Sequence, residues 1–172
     1  LGVIYYEEEY SLVDINKAIH YFTLAANKQH PEANFYLGKI YYEDINKAIK
    51  YFSNAANLNH INAQYNLGLI YFEDKYIKRD INKSINYFLM AAKQNHSRSQ
   101  NCLGVIYYEN KYIERDLNKA IHYFTQSANQ NNPDALYNLG FIYYEGKYVK
   151  RDMNKVIQYL TLSAKQNNLN SL

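Results

Sequence analysis

The sequence predicts an all-α fold, a right-handed α-α superhelix (solenoid) of about five helix-turn-helix repeats. Two observations predict it: a Leu-Gly phrase recurs along the chain, and a second phrase that opens with Asp follows each copy. The glycines of the first phrase are Gly2, Gly38, Gly68, Gly104 and Gly140, at intervals of 36, 30, 36 and 36 residues. A period of this size is typical of stacked helical repeats.

The first phrase of each repeat predicts a helix, here called helix A. In the last repeat it runs roughly from Pro133 to Glu145, with Ala135, Leu139 and Ile142 on the core face. Proline is tolerated at the first helical position, where its missing N–H does no harm. Gly140, however, costs about 1 kcal/mol relative to alanine in a helix interior. We therefore expect it to lie where helix A closely approaches the next helix.

The second phrase predicts a helix B that begins after an Asp, a good N-cap residue. In the fourth repeat the apolar and small positions fall on one helical face, at Leu117, Ala120, Ile121, Phe124 and Ala128. Small residues of helix B, such as Ala120, are expected to pack against the helix A glycine. Neither helix is long enough to be stable alone in water, so stacking must stabilise both.

The junction after each helix B also has a signature. Helix B ends on an aligned residue that we expect in the left-handed conformation: Gln29, Asn59, Asn95, Asn131 or Asn167. The following residue, His30, His60, His96 or Asn132, should then cap the next helix A.

These boundaries divide the single array, 1–172, into units of about 1–30, 31–60, 61–96, 97–132 and 133–167, followed by the start of another. The second unit lacks six residues equivalent to 110–115. We expect the last turn of its helix A, around Tyr42 and Glu43, to be distorted or to become the loop, unless residues are missing from the sequence. Because the chain opens inside a repeat phrase, it is expected to be part of a longer protein.

Composition argues against several classes of function. The 19 basic and 16 acidic residues leave a net charge of +3, which is too weak for the dense basic face of a nucleic-acid-binding protein. Cys102 is the sole cysteine, so the chain has no internal disulfide and no thiolate metal cluster. No apolar run approaches the ~20 residues of a membrane helix, and no signal peptide is visible. A cytoplasmic location is therefore expected.

Catalytic patterns are not found in the sequence. Cys102 has no motif around it, the histidines do not form a zinc-hydrolase pattern, and no glycine-rich phosphate loop is present. We expect no enzymatic activity, no metal or cofactor and no small-molecule substrate.

Aromatic and Asn residues instead recur at fixed positions on helix A, which lines the concave face of a right-handed array of helix pairs. Tyrosine is favoured at recognition surfaces, and Asn can hydrogen-bond a peptide backbone. The candidate binding residues lie in three rows: Tyr6, Tyr42, Phe72, Tyr108 and Tyr144; Phe35, Tyr65, Asn101 and Tyr137; and Tyr36, Asn66, Cys102 and Asn138, of which only Asn66 and Asn138 are candidates. A further row is Val3, Lys39, Leu69, Val105 and Phe141. The alternative is that these aromatic residues pack between adjacent repeats.

The loops between helices A and B carry basic residues, as in the segment "KYIERD" that contains Arg115. They could contact an acidic partner or RNA through a positive edge. Neighbouring Glu and Asp residues favour a solvated edge instead.

The combined pattern, A-x-x-x-L-G-x-x-Y, a loop, then D-x-x-K-A and a later alanine, resembles the Sel1-like repeat, a relative of the tetratricopeptide repeat. The matching residues are Ala135, Leu139, Gly140 and Tyr143 in helix A, and Asp116, Lys119, Ala120 and Ala128 in helix B. The family usually has glycine where this chain has Asn at the end of helix B. The resemblance implies an adaptor role in assembly or signalling, in arrays that can be appended to other domains, kinases included.

The expected function is therefore a non-catalytic scaffold that binds a protein or peptide segment on a concave, tyrosine-rich face. One alternative is a structural spacer or assembly component that contacts neighbours through its ends or outer face. Another is the interaction region of a larger signalling protein such as a kinase.

Overall fold

The computed structural model describes residues 2–3 and 14–169, with side chains as far as 166. Nine helices with defined bounds lie in this part of the chain, and it contains no strand. The B helices are α1 (Ile15–Ala26), α3 (Ile45–Asn57), α5 (Ile81–Lys93), α7 (Leu117–Ala128) and α9 (Met153–Leu169). The A helices are α2 (Pro31–Ile40), α4 (Ile61–Phe72), α6 (Ser97–Glu109) and α8 (Pro133–Glu145).

The chain forms two compact units, Leu1–Tyr87 and Phe88–Leu172, here called the N-terminal and C-terminal units. In the N-terminal unit α1 packs against α2, α2 against α3, and α3 against α4. In the C-terminal unit α6 packs against α7, α7 against α8, and α8 against α9. Each unit thus contains helices A and B in alternation, packed on their sequence neighbours.

The B helices begin at their Asp residues, as predicted. The Asp14 carboxylate accepts a hydrogen bond from the backbone N–H of Lys17 at 3.1 Å, and Asp116 accepts one from Lys119 at 3.0 Å. Asp44, Asp80 and Asp152 make the equivalent bond. Each bond satisfies a donor that the first turn of a helix leaves without an intrahelical partner.

Left-handed residues follow helix B at four of the five predicted positions. The φ angles are 59° at Gln29, 62° at Asn59, 63° at Asn95 and 59° at Asn131. The fifth prediction is wrong, because Asn167 lies inside α9, which continues to Leu169. In the other repeats the left-handed residue turns the chain into a following helix A, whereas no described helix follows α9.

The residue after each of these turns caps helix A. Nδ1 of His60 accepts from the N–H of Ala63 at 3.1 Å, and Oδ1 of Asn132 accepts from Ala135 at 3.0 Å. His96 makes the same bond to Ser99 at 3.3 Å. His30 occupies the cap position without this side-chain bond. The predicted caps are thus present, three of them with the expected hydrogen bond.

The interior glycines lie where helix A meets helix B, as predicted, but the contact differs from the one expected. A Cβ added at Gly104 would lie 2.5 Å from ring atoms of Phe124, and one added at Gly38 would lie 2.5 Å from Phe52. The side chain opposite Gly38 and Gly104 is therefore a phenylalanine, whereas Gly140 faces Leu160, and the small residues of helix B are not the nearest neighbours. Both rings are fully buried in their units.

The shortened second repeat loses the end of its helix A. Helix α2 has 10 residues, whereas α8 has 13. Tyr41, Tyr42 and Glu43 form a turn, and Asp44 caps α3 directly afterwards. This agrees with the expectation that the last turn becomes the loop, since no other residues can join the two helices.

Candidate functional site

A groove opens between the two A helices of the C-terminal unit, α6 and α8. It encloses about 240 Å³. We call it the A-helix groove, and its lining residues are Val105, Tyr108, Glu109, Phe124, Tyr137, Asn138, Phe141 and Ile142. Helix periodicity places Tyr137, Asn138, Phe141 and Ile142 on one side of α8, since they occupy positions i, i+1, i+4 and i+5.

The groove has a buried apolar floor and an exposed aromatic wall. Phe124 and Ile142 are only 1% and 3% exposed, so they close the groove towards the core. Tyr137 is 55% exposed and Phe141 is 40% exposed. Their rings stack with centroids 6.4 Å apart. Because each ring already packs against the other, a ligand that contacts them causes only a small further loss of side-chain entropy.

Two hydrogen bonds connect the walls of the groove. Nδ2 of Asn138 donates to Oδ1 of Asn101 at 3.2 Å, and the Tyr108 hydroxyl donates to Oε2 of Glu145 at 2.6 Å. Burial, followed by the bond to the Glu145 carboxylate, raises the pKa of Tyr108 to about 12. The hydroxyl therefore stays protonated and keeps donating at neutral pH.

A loop arginine holds the Tyr108 end of the groove. Nε of Arg115 donates to the Tyr108 carbonyl at 2.5 Å. The guanidinium lies 5.4 Å from the Tyr108 ring centroid and 4.5 Å from that of Tyr148, and it donates to the Tyr148 hydroxyl. Such stacking of Arg on aromatic rings is favourable. Arg115 thus makes its contacts within the chain, to Tyr108 and Tyr148, and does not project freely from a positively charged loop.

The same arrangement occurs elsewhere in the array. Nε of Arg79 donates to the Phe72 carbonyl at 2.5 Å, with the guanidinium 5.8 Å from the ring. Arg151 lies 5.0 Å from the centroid of the Tyr144 ring. The aromatic residue at the end of helix A therefore serves as a platform for the loop arginine.

In the N-terminal unit, the predicted binding residue Phe35 packs between adjacent repeats. Its ring stacks on His60 with centroids 4.5 Å apart and contacts Phe52 at 5.9 Å. Nε2 of His60 in turn lies 2.9 Å from a Glu32 carboxylate oxygen. This is the alternative role that the sequence left open, since Phe35 belongs to one repeat and His60 caps helix A of the next.

Tyr42 behaves similarly, with its ring edge-on to Tyr76 at 5.8 Å. Tyr65, Asn66 and Phe72 are half-buried, and Nδ2 of Asn66 donates to the Asn62 carbonyl of its own helix at 2.8 Å. Tyr6 lies outside the described residues.

The structure thus brings four predicted binding residues together at the groove: Asn101, Tyr108, Tyr137 and Asn138. Tyr144, 51% exposed, lies one helical turn beyond Phe141. Val105 and Phe141 belong to the further row of helix A and not to the predicted binding residues, and Glu109, Phe124 and Ile142 were not predicted. The available signal was spacing, because Val105 and Phe141 follow Asn101 and Tyr137 by four residues on the same helical face.

Cys102, on α6, has the properties of a structural thiol. Burial, with a smaller effect from the Asp134 carboxylate, raises its pKa to about 12. The reactive form of cysteine is the thiolate, so this side chain is a poor nucleophile at neutral pH.

Within residues 2–3 and 14–169, no group of three or more His, Cys, Asp or Glu side chains is placed to hold a metal ion. None of the helices in this part of the chain combines the length and apolar character required to cross a bilayer.

Short helices that alternate along the chain and pack on their sequence neighbours place this protein in the class of α-helical repeat proteins. The Sel1 repeat family matches the chain five times, at residues 1–30, 31–60, 61–96, 97–132 and 133–168. The chain therefore belongs to the Sel1 repeat family. This confirms the resemblance read from the sequence and the predicted class of all-α helical repeats. Sel1 repeats are generally protein–protein interaction modules and are typically non-catalytic.

Solved structures agree with this assignment. A Sel1 repeat protein from Oxalobacter formigenes is 28% identical, with a TM-score of 0.84 over 96% of this chain and 71% of its own. The protective antigen c5321 of uropathogenic Escherichia coli is 24% identical, with a TM-score of 0.82. That match covers 96% of this chain but 37% of the antigen structure, and it shows the fold alone.

The immunity protein Pa5087 from Pseudomonas aeruginosa is more distant. It is 19% identical, with a TM-score of 0.61 over 88% of this chain and 60% of its own, and it too shows the fold alone. No curated protein sequence matches the chain.

Proposed function

We propose that this array is a non-catalytic scaffold that binds a peptide or protein segment on the tyrosine-rich face of its A helices, through the A-helix groove. The observation that carries the proposal is the pairing, in one groove, of exposed aromatic rings with a polar bridge between helices. Tyr137 and Phe141 supply the rings, and Asn101 with Asn138 supplies the bridge.

The chemistry of the groove suits an extended segment. Rigid aromatic side chains around a buried floor are the usual anchors of protein interfaces. The Asn101–Asn138 bond uses one N–H of Asn138 and one lone pair of the Asn101 oxygen. Each Asn side chain has two N–H donors and two acceptor lone pairs, so the pair has further hydrogen-bonding groups. A peptide backbone that passes over the bridge can pair with this remaining capacity.

Photo-crosslinking tests the proposal. A photoreactive phenylalanine analogue at Tyr137 should crosslink to a bound protein, and the same analogue at Gln158, an exposed residue of α9, should not. Phe141→Ala should strongly reduce the Tyr137 crosslink by removing part of the groove wall. Equal crosslinking at both positions, or no effect of Phe141→Ala, would contradict binding in the groove.

A second candidate function rests on α9. Met153, Ile157 and Leu160 recur at i, i+4 and i+7, and Ile157 is 62% exposed. Leu160, 37% exposed, occupies the repeat position at which Phe124 is buried. This apolar stripe supports an assembly component that contacts neighbours through an end or outer face.

Light scattering distinguishes this candidate. If α9 mediates assembly, the mass should rise with protein concentration, and Ile157→Lys should prevent the rise while Gln158→Lys does not. A constant monomeric mass would argue against self-assembly through this stripe.

The proposed cytoplasmic location can be tested with a fluorescent fusion of the full-length protein.

A further inference from the structure

The charge around the A-helix groove specifies the segment that it would bind, an inference that rests on the proposed function. We propose that this segment carries a bulky apolar side chain next to a lysine or arginine. The apolar side chain fills the groove beside Phe141, and the cation lies between Glu109 and Glu145.

The shape of the groove sets the apolar part of this motif. The space of about 240 Å³ ends on Phe124 and Ile142, both of them buried. A groove with a closed floor of this kind accepts one large side chain of a partner, whereas a partner with a flat surface could not reach the floor. Transfer of such a side chain from water onto apolar walls is the main favourable contribution of an anchor residue.

The carboxylates lie at one end of the groove. Helix α6 ends at Glu109 and α8 ends at Glu145, and the bond from Tyr108 to Glu145 shows that the two ends are adjacent. The C-terminus of a helix carries partial negative charge, so both helix ends add to the negative potential of the two side chains. The Glu145 carboxylate uses Oε2 for Tyr108, and its second oxygen adds acceptor capacity.

These carboxylates are placed against a local electrostatic rule. Acidic side chains are unfavourable at the C-terminus of a helix, yet Glu109 and Glu145 end α6 and α8, and Glu73 directly follows α4. The equivalent Glu43 lies in the turn after α2, three residues beyond the end of that helix. A local rule broken at three helix ends is a signal of function. A bound cation would relieve the repulsion that these residues create.

No ion pair joins Glu109 or Glu145 to a basic side chain among the residues that the structure describes. Arg115, the basic group beside Tyr108, directs its donors to the Tyr108 carbonyl and the Tyr148 hydroxyl, which leaves both carboxylates without a direct cationic partner. At the other end, Arg98 and Asp134 occupy the first turns of α6 and α8 and carry opposite charges.

The test selects short peptides from a random displayed library against the whole chain and measures binding of the selected synthetic peptides by fluorescence anisotropy. We expect enrichment of a large apolar residue beside Lys or Arg. Phe141→Ala should weaken binding about tenfold or more. Glu109→Gln with Glu145→Gln should weaken it several-fold and reduce its dependence on salt, since a surface ion pair is lost.

Two controls make the outcome specific. Glu43→Gln removes the same charge from the equivalent repeat position outside the groove and should leave binding unchanged. Thermal unfolding of each variant checks the fold, and Tyr137→Ser replaces Phe141→Ala if the latter unfolds. The Gln pair preserves the acceptor for Tyr108, so it changes charge with little change in shape.

The results separate the inference from the proposed function. Peptides that depend on Phe141 but lack basic residues, or that ignore Glu109→Gln with Glu145→Gln, would overturn the inferred motif and leave groove binding standing. No selected peptides, or peptides insensitive to both groove variants, would overturn the proposed function itself.

Discussion

The ring of Phe124 occupies the space that any side chain at Gly104 would need. A Cβ at residue 104 would lie 2.5 Å from Cδ1 and Cε1 of that ring, closer than carbon atoms can approach. The added Cβ would also lie 2.8 Å from Cγ of Phe124, an atom that rotation of the ring about its own axis does not move, so ring rotation alone cannot relieve the clash. The glycine thus allows a large aromatic residue to pack directly against the backbone of helix A.

Gly104→Ala should therefore destabilise the protein, whereas Gly140→Ala should not. Overpacking costs about 1–3 kcal/mol, more than the gain of about 1 kcal/mol in helix propensity. At Gly140 the neighbour is Leu160, whose side chain is 37% exposed and can rotate away. Chemical denaturation of both variants measures the difference, and equal effects would contradict the proposed role of the phenylalanine.

Replacement of the left-handed residues with glycine should stabilise the array, and Gln29→Gly should do so more than Asn131→Gly. Both residues have φ of 59°, but Asn tolerates this region better than Gln does. We expect a gain of about 1 kcal/mol at Gln29, close to the cost of a left-handed conformation for most side chains. Thermal unfolding tests the order; a larger gain at Asn131 would show that strain at Gln29 is relieved by other contacts.

The stability of the C-terminal unit should fall below neutral pH because of His96. Burial, with a smaller effect from Arg98, lowers the pKa of His96 from its usual 6.5, and Nδ1 must be neutral to accept from Ser99. A group with a lowered folded pKa stabilises fully above its unfolded pKa. Its contribution is then lost as the pH falls through 6.5 to the folded pKa.

His96→Asn should reduce this pH dependence, since Asn132 caps the next helix A without titrating. The measurement is the midpoint of thermal unfolding between pH 5 and 8, the range in which histidine side chains change their charge. His122→Asn, at an exposed position of α7, is the control and should leave the profile unchanged. An identical profile for wild type and His96→Asn would contradict the prediction.

The hydrogen bond from Tyr108 to Glu145 should couple the two A helices that form the groove. In a double-mutant cycle of Tyr108→Phe and Glu145→Ala, we expect a coupling energy of about 1 kcal/mol, the net value of one hydrogen bond. Urea denaturation supplies the four free energies of unfolding. A coupling near zero would mean that the 2.6 Å contact does not hold the helices together.

Local features of the fold could be read from the sequence because each depends on a few adjacent residues. Asp14 and Asp116 cap their helices as predicted, and Asn59 and Asn131 adopt left-handed conformations after theirs. The turn at Tyr42 follows from the absent loop residues, since the chain has no other length to use. The prediction for Asn167 was wrong, because α9 continues through it to Leu169.

The candidate site was harder to predict, because equivalent residues have different surroundings in different repeats. Phe35 and Tyr137 share a repeat position, yet Phe35 stacks on His60 whereas Tyr137 is 55% exposed. The repeat pattern of the sequence shows which residues share a position on helix A, but it does not show which other side chains pack on each of them.

The amino-acid sequence by itself determined the repeat period, the starts of the helices, the caps and the positions that require glycine, since these follow from backbone geometry over a few residues. Only the tertiary structure decided that Phe124 and not an alanine faces Gly104, and that Val105, Phe141 and Glu109 share a groove with Asn138. The reason is physical: burial and grooves are properties of helices packed side by side. Their contacts join residues far apart in the chain, such as Gly104 with Phe124 and Asn101 with Asn138.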